Sequence, residues 1–556
     1  MTFHFFKVYR IIWRFTGTID LINIVKGNLV ATFILFIYSL FQIQLTLNLI
    51  IIDGLISVFL LGGFRAAIRQ LALEIHDSQS SPLPLKRAIV IGAGAAGEKM
   101  IREIRSSRQF SFSIAGFLDD DQLKRGKRIH GYPVFGGIDL LDQVKEKFRL
   151  DTAIVAIPSA TGDEFRRIFE ACKKNLLPIL SVPSLEAITK GKGSMINFRR
   201  VTYDDLLGRD PVELETDRIE EHISGNNILV TGAGGSIGSE LCKQICEFNP
   251  KTLILCDNSE NNLFTIDLSL KKEFVDQKLQ IILSDVQDFE QIQSIFDQYS
   301  PDIVFHTAAY KHVPMMETNP WEAVKNNIQG TRNVLKTAIE KKVSRFVLVS
   351  TDKAVRPTNI MGASKRVTEM LALAHAKSCK ETDVIIVRFG NVIGSQGSVV
   401  PLFQQQIDSG GPLTLTHPEI TRYFMTIPEA AQLILQSGTM GSGGEIYILD
   451  MGKPIRIADL ANDLIRLSGL APSIDIDIEI TGLRPGEKLF EELITSGEGV
   501  ISTEHDRIMV LRGETFDLHT IDKSIDELIA AAHGYDGEKI REVLQETVED
   551  FTYSKE

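Results

Sequence analysis

The sequence predicts an α/β chain: an N-terminal transmembrane helical hairpin followed by two Rossmann-like doubly wound parallel-sheet domains, the second with a small C-terminal substrate lobe. Three observations carry this. An almost unbroken apolar stretch covers residues 29–64. Two apolar strand candidates, residues 88–91 and 227–230, each run straight into a glycine-rich turn and a helical stretch. After each turn, short apolar runs alternate with helical periodicity, the pattern of parallel sheets built from strand, helix, strand units.

A chain of 556 residues exceeds what one hydrophobic core usually holds, so two or three domains are expected. We place a membrane-anchoring region with about two helices at 1–77, a first Rossmann-like domain at 86–200 and a larger one with its C-terminal lobe at 215–556. The proline-bearing polar segment Ser-Gln-Ser-Ser-Pro-Leu-Pro at 78–84 reads as the linker. The net charge of −12 argues against a general nucleic-acid surface, which needs clustered Lys and Arg. Cys172, Cys242, Cys246, Cys256 and Cys379 are scattered; they read as reduced core thiols, and no metal site is expected.

Within residues 29–64 the only ionisable side chain is Asp53. A helix needs about 20 residues to cross a bilayer, so two helices with a break near Gln42 to Thr46 fit better than one. Lys7, Arg10, Arg14 and Lys26 precede the stretch and Arg65 and Arg69 follow it, which puts both ends on the cytoplasmic side of the cell membrane. The stretch is too long for a cleaved signal peptide.

The first turn is Gly92-Ala-Gly94-Ala-Ala-Gly97, and a strand candidate at 113–118 ends at Asp119, where a ribose-binding acid would stand. Another strand is expected at 152–157. No catalytic group follows these strands, so nucleotide binding here and a vestigial fold remain equal readings. The second turn is stronger. Gly232, Gly235 and Gly238 have dinucleotide-binding spacing around Ser236 and Ile237, and the strand at 253–256 ends at Asp257. A carboxylate there accepts from a ribose 2′-hydroxyl and repels a 2′-phosphate, which favours NAD over NADP. Later strands end in Asp285-Val286, placed to read an adenine edge, and in His306-Thr-Ala308-Ala309.

An apolar strand at 346–349 puts Ser350, Thr351, Asp352 and Lys353 at its carboxyl end, where ligands bind in open α/β sheets. A helix is expected over 364–376; if it reaches back, Met361 and Lys365 share a face near its start. Lys365 would then reach a nicotinamide ribose.

Taken with Thr-Gly-Ala-Gly-Gly-Ser-Ile-Gly-Ser-Glu at 231–240, Ala-Ala-Tyr-Lys-His-Val-Pro at 308–314, Ser-Thr-Asp-Lys-Ala-Val at 350–355, Pro-Thr-Asn-Ile-Met-Gly-Ala-Ser-Lys at 357–365, Arg-Phe-Gly-Asn-Val at 388–392 and Arg-Pro-Gly-Glu-Lys at 484–488, the chain resembles the membrane-associated UDP-N-acetylglucosamine 4,6-dehydratases, an extended short-chain dehydrogenase/reductase family of bacterial glycan biosynthesis. The resemblance covers nearly the whole chain. It implies bound NAD that takes hydride from C4 and returns it to C6, with loss of water between. It implies Asp352 as the acid at O6, Lys353 as the base at C5 and Thr351 as the partner of O4. The acid must be protonated and the base neutral before turnover. Met361 stands where the wider superfamily has tyrosine. The membrane-associated branch resembles this chain there, which implies retained C5 configuration; the acceptor of the O4 proton stays open, with Thr351 through a water, aided by Lys365, as the expected route.

The resemblance also offers Lys311, His312, Asn391, Arg422 and Arg484 for the sugar nucleotide, arginine suiting a diphosphate because its fork donates two parallel hydrogen bonds. Arg422 and Arg484 have ion pairing as their alternative. A homo-oligomer is expected, with a UDP-sugar as the small-molecule partner. A UDP-sugar 4-epimerase and a non-catalytic NAD-sensing scaffold of a glycan-assembly complex are the alternative functions. Relatives carry about four membrane helices against two here, so a short form or a later start is expected.

Overall fold

In the computed structural model the described residues are 18–41, 47–65, 67–68, 86–106, 112–160, 162–182, 199–200, 207, 212, 214–494 and 499–553. The expected linker at 78–84, the helix break at 42–46 and the flanking Lys7, Arg10, Arg14 and Arg69 lie outside them. The chain packs as two compact units, Met1–Pro158 with Val182–Phe198, and Ser159–Ser181 with Arg199–Glu556.

The first unit begins with two apolar helices. Helix α1 (Thr18–Phe41) contains Ile22–Leu40, the one stretch among the described residues that is long and apolar enough to cross a membrane. Helix α2 (Leu47–Val58) is shorter and runs on through a π-helical turn at Phe59–Gly63. The two pack closely because Gly54 has no side chain: a Cβ there would stand 2.8 Å from Thr32 Oγ1. Beside it, Asn28 Nδ2 donates to the Gly54 carbonyl at 2.8 Å. Leu29, Phe33 and Leu40 point outward with more than half of their surface exposed.

The same unit holds five strands: β1 (Lys86–Ile91), β2 (Phe112–Leu118), β3 (Arg128–Ile129), β4 (Tyr132–Gly136) and β5 (Thr152–Val155), in the order β3-β4-β2-β1-β5. All neighbours are parallel except the β3-β4 pair. Helix α3 (Ala95–Ser106) follows the first turn. The strand expected to reach residue 157 ends at Val155.

The second unit is built on a nine-stranded sheet. Strands β6 (Asn227–Thr231), β7 (Thr252–Asp257), β8 (Leu279–Leu283), β9 (Ile303–His306), β10 (Arg345–Val349), β11 (Asp383–Arg388), β12 (Glu445–Leu449), β13 (Val500–Ser502) and β14 (Ile508–Leu511) lie in the order β8-β7-β6-β9-β10-β11-β12-β14-β13. The first seven are parallel and the last two antiparallel. Successive side chains enter opposite layers: Leu229, Phe346 and Leu348 join one core, Ile228, Val230 and Val347 the other. Each such apolar side chain, fully buried, stabilises by about 1.5–3 kcal/mol. The order reverses between β6 and β9, so a cleft opens there beyond their carboxyl ends.

Helix α4 (Ile360–Ser378) starts earlier than the apolar periodicity alone indicated. Asn359 caps it, its side chain accepting from Gly362 N at 2.8 Å, a cap that stabilises by about 1 kcal/mol. The C-terminal lobe is tied by short pairings, among them Asn391–Val392 with Phe424–Met425 and Thr421–Arg422 with Ile455–Arg456.

Candidate active site

The cleft of the second unit has a volume of about 870 Å³. One wall is the glycine-rich turn after β6. Gly232 has φ +70°, and a Cβ on it would lie 2.7 Å from Ala308 N. A Cβ on Gly238 would lie 2.1 Å from the Gly232 carbonyl oxygen, a distance that only backbone movement relieves. The helix that follows, Ser236–Glu247, has no side-chain N-cap, so its first N–H groups face the cleft. Asp257, at the end of β7, accepts from Gly234 N and Ser259 N, both at 2.8 Å. Each of its oxygens keeps a lone pair for a ribose hydroxyl. Gly232, Gly235, Ser236, Ile237, Gly238 and Ala309 line the cleft, whereas Asp257, Asp285, Val286 and Ala308 do not. Asp285 accepts from Gln287 N and from Asn258 Nδ2, and Val286 is buried in the core.

The opposite wall is the end of β10. Thr351 has extended backbone and caps a single 3-10 turn, Asp352–Ala354. Its hydroxyl donates to Asp352 Oδ1 at 2.8 Å. Thr351, Lys353, Met361, Lys365 and Asn391 line the cleft together. Asp352 lies behind them, 1% exposed. The start of α4 is pressed onto this turn: a Cβ on Gly362 would stand 2.2 Å from the Lys353 carbonyl oxygen. Met361 and Lys365 are thus one helical turn apart on the face toward the turn, and Lys365 Nζ donates to Val349 O at 2.7 Å. Burial pulls the Lys365 ammonium down to about 8, against the opposing charge of Glu369.

Lys353 is held by three oxygens. It donates to Asp352 Oδ1 and Asn391 Oδ1, both at 3.1 Å, and pairs with Glu491 Oε1 at 2.9 Å. Burial alone would lower its ammonium, and the charges of Asp352 and Glu491 outweigh that and hold it above its ordinary value. Burial and the Glu491 charge push Asp352 up as well, to about 7, which for an acid favours the neutral form. Glu491 stays ionised because Lys353 and Arg422 overcome its burial and hold it at about 2.

Arg422, expected at a diphosphate, is committed elsewhere: its Nε meets Glu491 Oε1 at 3.0 Å, Nη2 meets Glu487 at 3.5 Å and Nη1 donates to Thr421 O at 2.7 Å. This is the ion-pair alternative. Neither Arg422 nor the exposed Arg484 lines the cleft, while Lys311 and His312 do. Among the described residues no group of His, Cys, Asp and Glu is arranged to hold a metal.

Sequence reasoning missed two acids. Glu491 is one. The other is Glu369 on α4, fully buried, which receives Arg388 through two bonds of 2.7 Å, the Ser350 hydroxyl at 2.7 Å and Arg366 at 3.1 Å. Burial would raise it, and Arg388 and Arg366 bring it to about 2. Its helical spacing from Lys365, i,i+4, was the available signal. His306, by contrast, is held between the hydroxyls of Thr231 and Thr331 at 2.7 and 2.9 Å, and burial beside Lys365 keeps it neutral, down to about 3.

Residues 228–513 match the family model described as polysaccharide biosynthesis protein, and residues 4–183 match one described as CoA-binding domain. The chain is 40% identical over 529 residues to the capsular polysaccharide biosynthesis protein CapD of Staphylococcus aureus, covering 94% of this chain and 88% of that one. It is 41% identical over 496 residues to the probable polysaccharide biosynthesis protein EpsC of Bacillus subtilis, covering 89% and 82%. A solved structure, Pen from Bacillus thuringiensis, is 34% identical with a TM-score of 0.49, covering 52% of this chain and 89% of that one. With the family model matching residues 228–513 and with the CapD and EpsC relatives, the chain belongs to the polysaccharide biosynthesis protein family.

Proposed function

We propose that the protein is an NAD-dependent 4,6-dehydratase of a UDP-N-acetylhexosamine, UDP-N-acetylglucosamine first, yielding the UDP-2-acetamido-2,6-dideoxy-4-keto-hexose for bacterial surface glycan synthesis. The observation that carries it is the cluster at the end of β10, where Thr351 and Lys353 line one cleft with Met361 and Lys365 and Asp352 sits directly behind them, bonded to Lys353. The glycine-rich turn supports a dinucleotide cofactor, because Gly232 and Gly238 let the backbone close tightly on itself while Gly232, Gly235 and Ser236 line the cleft, and Asp257 favours NAD over NADP. When bound, NAD⁺ supplies hydride acceptance at C4 and hydride return at C6, so no net redox occurs.

The remaining chemistry belongs to the chain. Lys365 holds the ribose and places a positive charge beside the reacting face. A C4 ketone acidifies the C5 hydrogen; Lys353, when neutral, takes that proton, and Asp352, when protonated, gives one to the departing C6 hydroxyl. Water leaves, Lys353 returns its proton to C5 as hydride reaches C6, and the O4 proton restores Asp352, so the proton count closes. Asp352 near 7 supports an acid that is protonated at working pH. A thioether takes no proton, so Thr351 passes the O4 proton through a water. A 4-epimerase makes no use of an acid at O6, and the Asp352 environment favours dehydration over it.

The two apolar helices, α1 and α2, act as a membrane hairpin with the catalytic unit on the cytoplasmic side of the bacterial inner membrane, and the protein works as a homo-oligomer. Incubating the full-length protein in detergent with UDP-N-acetylglucosamine and no added cofactor tests the reaction. Mass spectrometry is expected to show loss of one water; an unchanged mass with the UDP-N-acetylgalactosamine signature would refute it.

A further inference from the structure

We propose that Glu491 is a positioning residue for the dehydration: clamped by Arg422 and Asn391, its carboxylate holds Lys353 against Asp352 and keeps the acid proton on Asp352. This rests on the function proposed above and adds a group from the C-terminal lobe to it.

The geometry is a closed set of contacts around one carboxylate. Glu491 Oε1 meets Lys353 Nζ at 2.9 Å and Arg422 Nε at 3.0 Å, and Asn391 Nδ2 donates to Oε2 at 3.0 Å. Asn391 uses its other end on the same lysine, accepting from Lys353 Nζ at 3.1 Å. Glu491 does not line the cleft, so it acts on substrate only through its neighbours. Asp352 and Glu491 meet the same Lys353 Nζ at 3.1 and 2.9 Å, and two buried carboxyl groups sharing one cation raise the affinity of one of them for a proton.

The charge count shows what this achieves. Asp352 and Glu491 as carboxylates, with Lys353 and Arg422 as cations, sum to zero. Moving one proton from Lys353 to Asp352 along their 3.1 Å hydrogen bond leaves the sum at zero and produces the pair that dehydration requires, a protonated acid and a neutral amine; the Glu491 charge favours the protonated acid and at the same time holds the Lys353 ammonium, so the transfer is completed only as substrate enters. No proton enters or leaves the site. Without the Glu491 charge, Asp352 would face the Lys353 cation with no opposing carboxylate and would hold its proton less well. The other charged groups nearby are Lys488, which donates to Val355 O at 2.9 Å and feels Asp352 and Glu491, Lys311, which feels Lys353, and Glu487 on the far side of Arg422. None takes the place of Glu491 between Lys353 and Arg422.

The test compares wild type, Glu491→Gln and Glu491→Asp as full-length protein in detergent, by steady-state kinetics against pH and by infrared titration of the protonated-carboxyl band, assigned by its loss in Asp352→Asn. Glu491→Gln is expected to lower kcat about 100-fold or more with KM changed about threefold or less, and to move both the alkaline fall of kcat and the band to lower pH by about one unit or more. Glu491→Asp keeps the charge and is expected to leave both midpoints in place even if it lowers kcat. A Glu491→Gln enzyme within about threefold of wild-type kcat, or one that loses kcat with both midpoints unmoved, would overturn the inference. If wild type does not dehydrate the substrate, the proposed function fails, and the band midpoints of wild type and Glu491→Gln still decide whether Glu491 holds the proton on Asp352.

Discussion

The two glycine-rich turns solve one backbone problem and differ in everything beyond it. In the first, Gly92 has φ +104°, a Cβ on Gly97 would lie 2.2 Å from the Gly92 carbonyl oxygen, and Ala93 N donates to Asp119 at 2.7 Å. In the second, Gly232, Gly238 and Asp257 repeat the set, with 2.1 Å at the equivalent glycine and 2.8 Å at the acid. The acids part company next. Lys124 Nζ sits on Asp119 at 2.9 Å; burial would raise that carboxyl, and the lysine with two backbone N–H groups brings it below its usual range. Among the described residues no Lys or Arg pairs with Asp257. The neighbouring strand ends differ as well: Ile157 crowds Gly92, whereas Thr307 and Ala308 flank Gly232. A dinucleotide-type turn is therefore a folding solution first, and the groups at the strand ends decide whether it serves chemistry.

The largest expected difference between the units is catalytic. Asp352→Asn is expected to lower kcat by about 10²–10⁴, whereas Asp119→Asn leaves kcat within about twofold. Comparable losses from both would break the comparison. Next in size, Glu369→Gln is expected to cost about 3–5 kcal/mol in denaturant or thermal unfolding, because it leaves Arg388 buried without its carboxylate. The pH dependence follows from the lowered Glu369: its contribution is complete above the ordinary carboxylate value near 4.5 and is lost as pH falls toward 2, so the wild-type advantage over Glu369→Gln shrinks across that window.

Gly238→Ala is expected to weaken NAD binding about 100-fold, by fluorescence titration, since the new Cβ meets backbone. Gly97→Ala meets backbone just as closely and is expected to lower the melting temperature without touching NAD affinity at the active site; equal NAD losses would show that the first turn also holds the cofactor. Smaller still, Asp257→Asn is expected to weaken NAD about tenfold and Lys124→Ala not at all. The smallest concerns Met361→Tyr, expected to change turnover about threefold or less; a rise of many-fold would mean that the water route from Thr351 is a poor substitute for a phenol.

Much of this was legible in the sequence because parallel strands are short apolar runs whose ends carry named groups. Residues 227–230, 253–256 and 346–349 were read to within one or two residues at each end. The start of α4 was harder, since Ile360 to Ala363 are buried all round and give no stripe; the cap at Asn359 was the readable mark. Glu491 escaped because it follows Arg-Pro-Gly-Glu-Lys in an irregular stretch with Glu487 and Glu492 beside it, and no period tells which glutamate turns inward. The role expected for Arg422 came from its residue type, and a guanidinium fits a diphosphate and a pair of carboxylates equally well; only the fold brings Glu487 and Glu491 to it.

The most direct test of the central claim, that the second turn and the β10 end together perform internally balanced dehydration, is to follow deuterium from C4-deuterated UDP-N-acetylglucosamine through the full-length protein without added cofactor. The expected product is lighter by one water, with the label moved from C4 to C6 and a solvent hydrogen at C5. Label still at C4 in a 4-epimer of unchanged composition, with nothing exchanged at C5, would contradict it.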